Sequence, residues 1–266
     1  MKATINDTSV FYNVEGTGEV TLLFIHGSYI DQTYWNKQVQ YFASSYKVVA
    51  VDLPGHGKSG QTRQHWSITS FADDIVALME LLHLRQVILI GHSMGAEIGL
   101  IVATKTDKLA GFISVDYFKN AATELPKEMV AATLKALAED YEGTNEQFAR
   151  TGLLTERTPK IIADRVVQDY RNSFKPMGMA IMPEMLNLAI VERTLLPRLT
   201  MKLYLVVVDY SPTNEQPLKD YVKYGYEITK LSGTCHFPML ESPEELNRVL
   251  GNIINVIESG LVPKIV

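Results

Sequence analysis

Gln86-Val87-Ile88-Leu89-Ile90 runs directly into Gly91-His92-Ser93-Met94-Gly95, and the reading of this stretch decides the fold. A continuous apolar, β-branched run without polar alternation is what a strand buried on both faces requires. Two glycines then bracket a serine, and small apolar residues from Ala96 onward suit a helix. Strand, tight turn and helix in that order hold a serine strained at the carboxyl end of a strand, the context of a nucleophile elbow. Gly91 and Gly95 leave room for strand and helix to pack closely. Ser93 Oγ then projects from the sheet edge, and the Met94 backbone N–H faces any oxyanion that forms there. The pentapeptide alone also fits an ordinary turn serine, so the remainder of the chain has to decide between the two.

Working outward, similar runs recur at residues 20–25, 46–51, 111–115 and 203–208, with further strand patterns at 10–14 and 226–231. Helical spacing of apolar residues occupies 69–82, and a second helix fits 95–104. Near the end, Ser242-Pro243-Glu244-Glu245 reads as a capping box that opens a helix, with Gly260 closing it. Strands alternating with helices predict the α/β class, a doubly wound, mostly parallel sheet. Residues 118–196 break the alternation. Helical patterns at 127–140, 159–172 and 183–193, separated by Gly143, Pro159, Pro176 and Pro183, predict an inserted helical cap between core segments 1–117 and 197–266. Met177, Met179, Met182 and Met185 fall in this cap, a cluster that suits either an adaptable apolar cavity or gap-filling core.

Composition narrows the function classes. The 266 residues carry 25 basic and 30 acidic side chains, for a net charge of −5, and the charges are interspersed, which argues against nucleic-acid binding. With 46% apolar and 21% charged residues the chain has ordinary globular usage. No apolar run approaches the ~18 residues of a membrane span, and the opening residues lack the apolar stretch of a secretory signal. A single cysteine, Cys235, cannot close a bridge within the chain, so a reducing, cytoplasmic setting is expected. The expected partner is a small-molecule substrate, with no nucleic acid and no membrane. No residue pattern specifies an oligomeric state.

The elbow does not stand alone. His26-Gly27-Ser28 follows the strand at 20–25, Asp52-Leu53-Pro54-Gly55-His56-Gly57-Lys58-Ser59 follows the strand at 46–51, and Gly233-Thr234-Cys235-His236-Phe237-Pro238 lies near the C-terminus. In order and spacing these resemble the α/β-hydrolase family, serine-nucleophile branch with a helical cap, across most of the chain outside 118–196. The resemblance implies Ser93 as nucleophile and His236 as general base. It also implies an oxyanion hole made by the backbone N–H groups of Ser28 and Met94. No cofactor and no metal are implied. The 52–59 segment is a family marker with a structural role, so Asp52, His56 and Ser59 receive no catalytic part. His26 and His92, beside glycines, suit packing or hydrogen bonding, and Cys235 lacks an elbow or a base of its own.

The triad acid is where the chain departs from the family pattern. Alignment of residues 203–212 on the usual arrangement puts Val208 in the glycine slot and Ser211 in the aspartate slot. Asp209 is one candidate. The favoured one is Asp116, at the end of the preceding strand, because strand-end loops of a doubly wound sheet converge on one crevice. Asp116 could equally serve as a strand-end carboxylate pinning the start of the cap. The expected activity is hydrolysis of a small to medium, largely apolar ester-type substrate, with Tyr29, Trp35 and Phe237 near the mouth. A carbon–carbon bond hydrolase using the same triad, or a low-turnover ligand receptor, are the alternatives.

Overall fold

The computed structural model describes residues 1–261. Eight strands form one sheet: β1 (Lys2–Ile5), β2 (Thr8–Glu15), β3 (Thr21–Ile25), β4 (Lys47–Asp52), β5 (Val87–His92), β6 (Leu109–Val115), β7 (Leu203–Val208) and β8 (Tyr226–Leu231). Their spatial order is β1-β2-β4-β3-β5-β6-β7-β8. The β1/β2 and β2/β4 pairings are antiparallel and all others parallel, which establishes the α/β class read from the alternating pattern. β3, β4, β5 and β7 are buried along almost their whole length, as a sheet covered on both faces demands. β1 was not anticipated. It is a short edge strand joined to β2 by Asn6 and Asp7, both at positive φ, the backbone of a primed hairpin turn.

Helices α1 (Asn36–Phe42), α2 (Ile68–Leu81) and α3 (Met94–Ala103) lie between the first strands, and α11 (Pro243–Leu261) packs on β6 and α1. Every residue of α3 is buried, so the elbow helix lies within the molecule. Gly260 lies inside α11, whose described part reaches Leu261; a lone glycine near a helix end lowers propensity without terminating the helix. The expected reciprocal capping by Glu245 is absent too. The Ser242 N–H is already taken by the Pro238 carbonyl of the short helix α10 (Pro238–Glu241), and Glu245 pairs with Arg248 instead.

Between β6 and β7, residues 118–196 hold no strand. They form α4 (Lys127–Glu139), α5 (Tyr141–Phe148), a π-helical turn at Ala149–Leu153, α6 (Lys160–Arg171), α7 (Lys175–Met185) and α8 (Ala189–Leu195). The expected helix over 183–193 is instead two helices, because α7 carries Pro183 within its last turn and stops at Met185. The remaining helix, α9 (Gln216–Tyr221), connects β7 to β8. The chain reverses direction across the sheet at β3 and β5, since β4 lies to one side of β3 and β5 to the other. The carboxyl ends of these two strands therefore flank the topological switch point, where open α/β sheets place ligands.

Candidate active site

Ser93 sits between β5 and α3 with φ +52° and ψ −123°. A non-glycine residue costs on the order of 1–3 kcal/mol there and persists only where its surroundings impose it. The surroundings do so through glycines. A Cβ on Gly91 would lie 2.3 Å from the Gly95 carbonyl oxygen, and one on Gly95 would lie 2.4 Å from that of Ile25. β3, the elbow and α3 thus touch backbone to backbone. Gly27 closes the other side: a Cβ there would meet His92 Nδ1 at 2.8 Å and Ser93 Cβ at 3.1 Å. The loop carrying Ser28 is in this way pressed against the elbow carrying Met94. Neither the Ser28 nor the Met94 backbone N–H donates to a protein acceptor among the described residues.

His236, on the loop between β8 and α10, is gripped from several sides. Its N–H donates to the carbonyl of Leu153 in the π-helical turn between α5 and α6, at 3.0 Å. Its carbonyl accepts from His92 Nε2 at 2.8 Å, and the two imidazole centroids are 4.5 Å apart. The residue preceding Ser93 therefore holds the backbone of His236 at the elbow. His236 Nδ1 is 2.6 Å from Asp116 Oδ2. An ionised carboxylate only accepts, so Nδ1 carries a proton, and in the neutral imidazole the lone pair is then on Nε2. Nε2 is buried and makes no hydrogen bond; a nucleophile–base contact is often long until substrate arrives.

Asp116 is itself constrained. It follows β6 with φ +49°, and its N–H donates to the Val206 carbonyl at 2.7 Å. Oδ1 accepts from Lys119 Nζ at 2.7 Å and from the Val208 N–H at 3.1 Å, while Oδ2 receives His236. Burial on its own pushes this carboxyl up. The hydrogen bond and charge of His236, together with Lys119, outweigh that and hold it below the usual aspartate value. Asp209 is elsewhere: exposed, it accepts from the Gly233 N–H at 2.9 Å. A carboxylate two residues before position 211 is spent on the loop turn and does not meet His236.

Other expected residues also fall into place. Asp52 accepts from the backbone of Gln32 and Lys58, and His26 Nε2 from the Leu53 N–H, so the 52–59 segment is braced internally. Trp35 and Phe237 do not line a mouth. Both are fully buried, Trp35 against Phe24 and Phe237 against Tyr34 and His92. Tyr29 does border a cavity of about 230 Å³ with His56, Phe174 and Met177, but Asp31, Asp169 and Asn172 share it, so its lining is mixed. Met185 borders a different cavity from Met177, so the methionines of residues 118–196 do not line one space. Lys119, Tyr210 and Leu153 were missed by sequence reasoning, since no spacing signal distinguishes a loop lysine, a loop tyrosine or a backbone carbonyl.

The alpha/beta hydrolase family model matches residues 22–249. The chain belongs to the alpha/beta hydrolase family. Among curated relatives, it is 31% identical over 100 residues to a strigolactone esterase of Pisum sativum, covering 36% of this chain and 38% of that one. It is 30% identical over 136 residues to the (E)-2-((N-methylformamido)methylene)succinate hydrolase of Acinetobacter baylyi, covering 51% of each. The aligned part thus spans about half or less of these relatives. Solved structures match over almost the full length: an esterase from Thermogutta terrifontis (TM-score 0.80, 21% identity, 97% of this chain and 98% of that one) and a bromoperoxidase from Bacillus anthracis (TM-score 0.82, 17% identity, 96% and 99%). At such identities they establish the alpha/beta hydrolase fold. No helix among the described residues is long and apolar enough to cross a membrane.

Proposed function

We propose that this alpha/beta hydrolase is a serine esterase that cleaves a small to medium, largely apolar acyl substrate through an acyl-enzyme on Ser93. The observation that carries the reading is the 2.6 Å contact between His236 Nδ1 and Asp116 Oδ2, which leaves Nε2 as a buried, unpartnered base at the elbow. Ser93 Oγ attacks the acyl carbon as its proton passes to His236 Nε2. The Ser28 and Met94 amides receive the negative charge on the carbonyl oxygen, which exists only near the transition state. His236 returns the proton to the departing alkoxide, releasing an alcohol. Water, deprotonated by the same nitrogen, then attacks the acyl-enzyme, and the acid leaves as Ser93 recovers its proton. A low-turnover receptor draws its support from the missing acid at position 211; the Asp116–His236 contact supports the esterase reading instead.

A fluorophosphonate probe tests the reading, with peptide mapping and turnover of p-nitrophenyl esters of increasing chain length. Modification of Ser93, lost in Ser93→Ala together with ester turnover, is the expected result. Folded wild-type protein that the probe leaves unmodified would overturn the proposal.

A further inference from the structure

Lys119 is a buried cation that the acyl-transfer scheme does not use. Its side chain is only 10% exposed, and its Nζ lies 2.7 Å from Asp116 Oδ1, 2.9 Å from Ser211 Oγ and 4.2 Å from the centre of the Tyr210 ring. The ammonium therefore rests on the far oxygen of the same carboxylate whose near oxygen holds His236. A neutral donor suffices to orient that far oxygen, and the Val208 N–H already supplies one. A full positive charge does more. It offsets the carboxylate's attraction for a second proton on the imidazole, because a nearby cation disfavours the imidazolium.

The other titratable groups facing His236 do not supply this effect. His92 approaches from the end of β5, Tyr210 from the loop after β7, and Cys235 is its neighbour in the chain. Burial keeps the His92 ring neutral, holds the Tyr210 hydroxyl protonated and pushes the Cys235 thiol up to about 12. Among the groups around His236, Asp116 and Lys119 form the ion pair. We propose that Lys119 is a positioning residue that fixes the Asp116 carboxylate and lowers the basicity of His236, so that the imidazole stays unprotonated and able to accept the serine proton further into the acidic range. This rests on the Ser93–His236 reading above.

The test is the midpoint of the acidic limb of kcat/KM against pH, with p-nitrophenyl acetate, in wild type, Lys119→Met, Lys119→Arg and Lys119→Gln. Lys119→Met should move the midpoint upward by on the order of one pH unit, and Lys119→Arg should bring it back to the wild-type position. Lys119→Gln keeps a neutral donor for Asp116 Oδ1 without the charge and should shift the midpoint in the same direction; it carries the test alone if Lys119→Met does not fold. A purely structural lysine would lower kcat and leave the midpoint in place, and coincident midpoints in folded variants would overturn the proposal. An NMR titration of the His236 ring reads the same shift without turnover. An inactive wild type with a Lys119-dependent His236 titration would therefore refute the esterase reading and leave this one standing.

Discussion

Replacing Asp116 by Asn should cost about 10⁴-fold in turnover, or ~5.5 kcal/mol of transition-state stabilisation, and the reason lies in the donors around that residue. Lys119 Nζ and the Val208 N–H both point at Oδ1 and both require an oxygen there. An asparagine must satisfy them with its carbonyl, which turns its NH₂ toward His236 Nδ1. Two donors cannot face each other, so the imidazole gives up its Nδ1 proton and carries one on Nε2, where the proposed mechanism needs a lone pair for Ser93. The substitution also leaves Lys119 without its counter-ion, and breaking a buried pair costs about 3–5 kcal/mol of stability. Turnover is therefore measured per folded molecule, with the folded fraction taken from circular dichroism. The double variant Asp116→Asn/Lys119→Met should regain stability and stay slow. Asp209→Asn, on the exposed carboxylate, should change turnover little. Near wild-type turnover in folded Asp116→Asn would refute this account of the acid.

The elbow glycines give a stability prediction: Gly95→Ala puts a methyl 2.4 Å from a backbone oxygen that cannot yield, and thermal melts should show a loss of about 3 kcal/mol; an unchanged Tm would count against the packing described. Glu97 of α3, buried and facing Glu192 of α8, is held well above the usual glutamate value by burial and then by that neighbour. A carboxyl raised in the folded state contributes fully below the unfolded value of about 4.3, and its contribution falls as pH rises toward the folded value. Glu97→Gln should accordingly gain more Tm over wild type at pH 8 than at pH 5, and parallel melting profiles would contradict this. Cys235, with its thiol pushed up to about 12 by burial, should resist iodoacetamide at pH 8 until the chain is unfolded; stoichiometric labelling of native protein, read by mass spectrometry, would disprove its burial.

What could be read ahead of the structure was whatever the local chain determines. Each continuous apolar run had to be a two-face-buried strand, and Gly91 and Gly95 had to bracket a strained serine because their missing Cβ atoms are what let three backbones touch. β1 escaped because its four residues carry no periodic signal and its turn rests on Asn6 and Asp7 tolerating positive φ. The cap helices were placed by prolines, which mark boundaries poorly when one such as Pro183 sits inside a helix. Position 116 was legible as a strand-end carboxylate, but whether it or Asp209 reaches His236 depends on a loop path across β6 and β7. Lys119 was invisible for the same reason: its partner Ser211 lies 92 residues away in sequence.

The hydrogen bond from the His236 N–H to the Leu153 carbonyl ties the loop after β8 to the helical segment between β6 and β7. Any displacement of that segment's π-helical turn must stretch this bond, so the packing of residues 149–153 and the placement of the His236 backbone are set together.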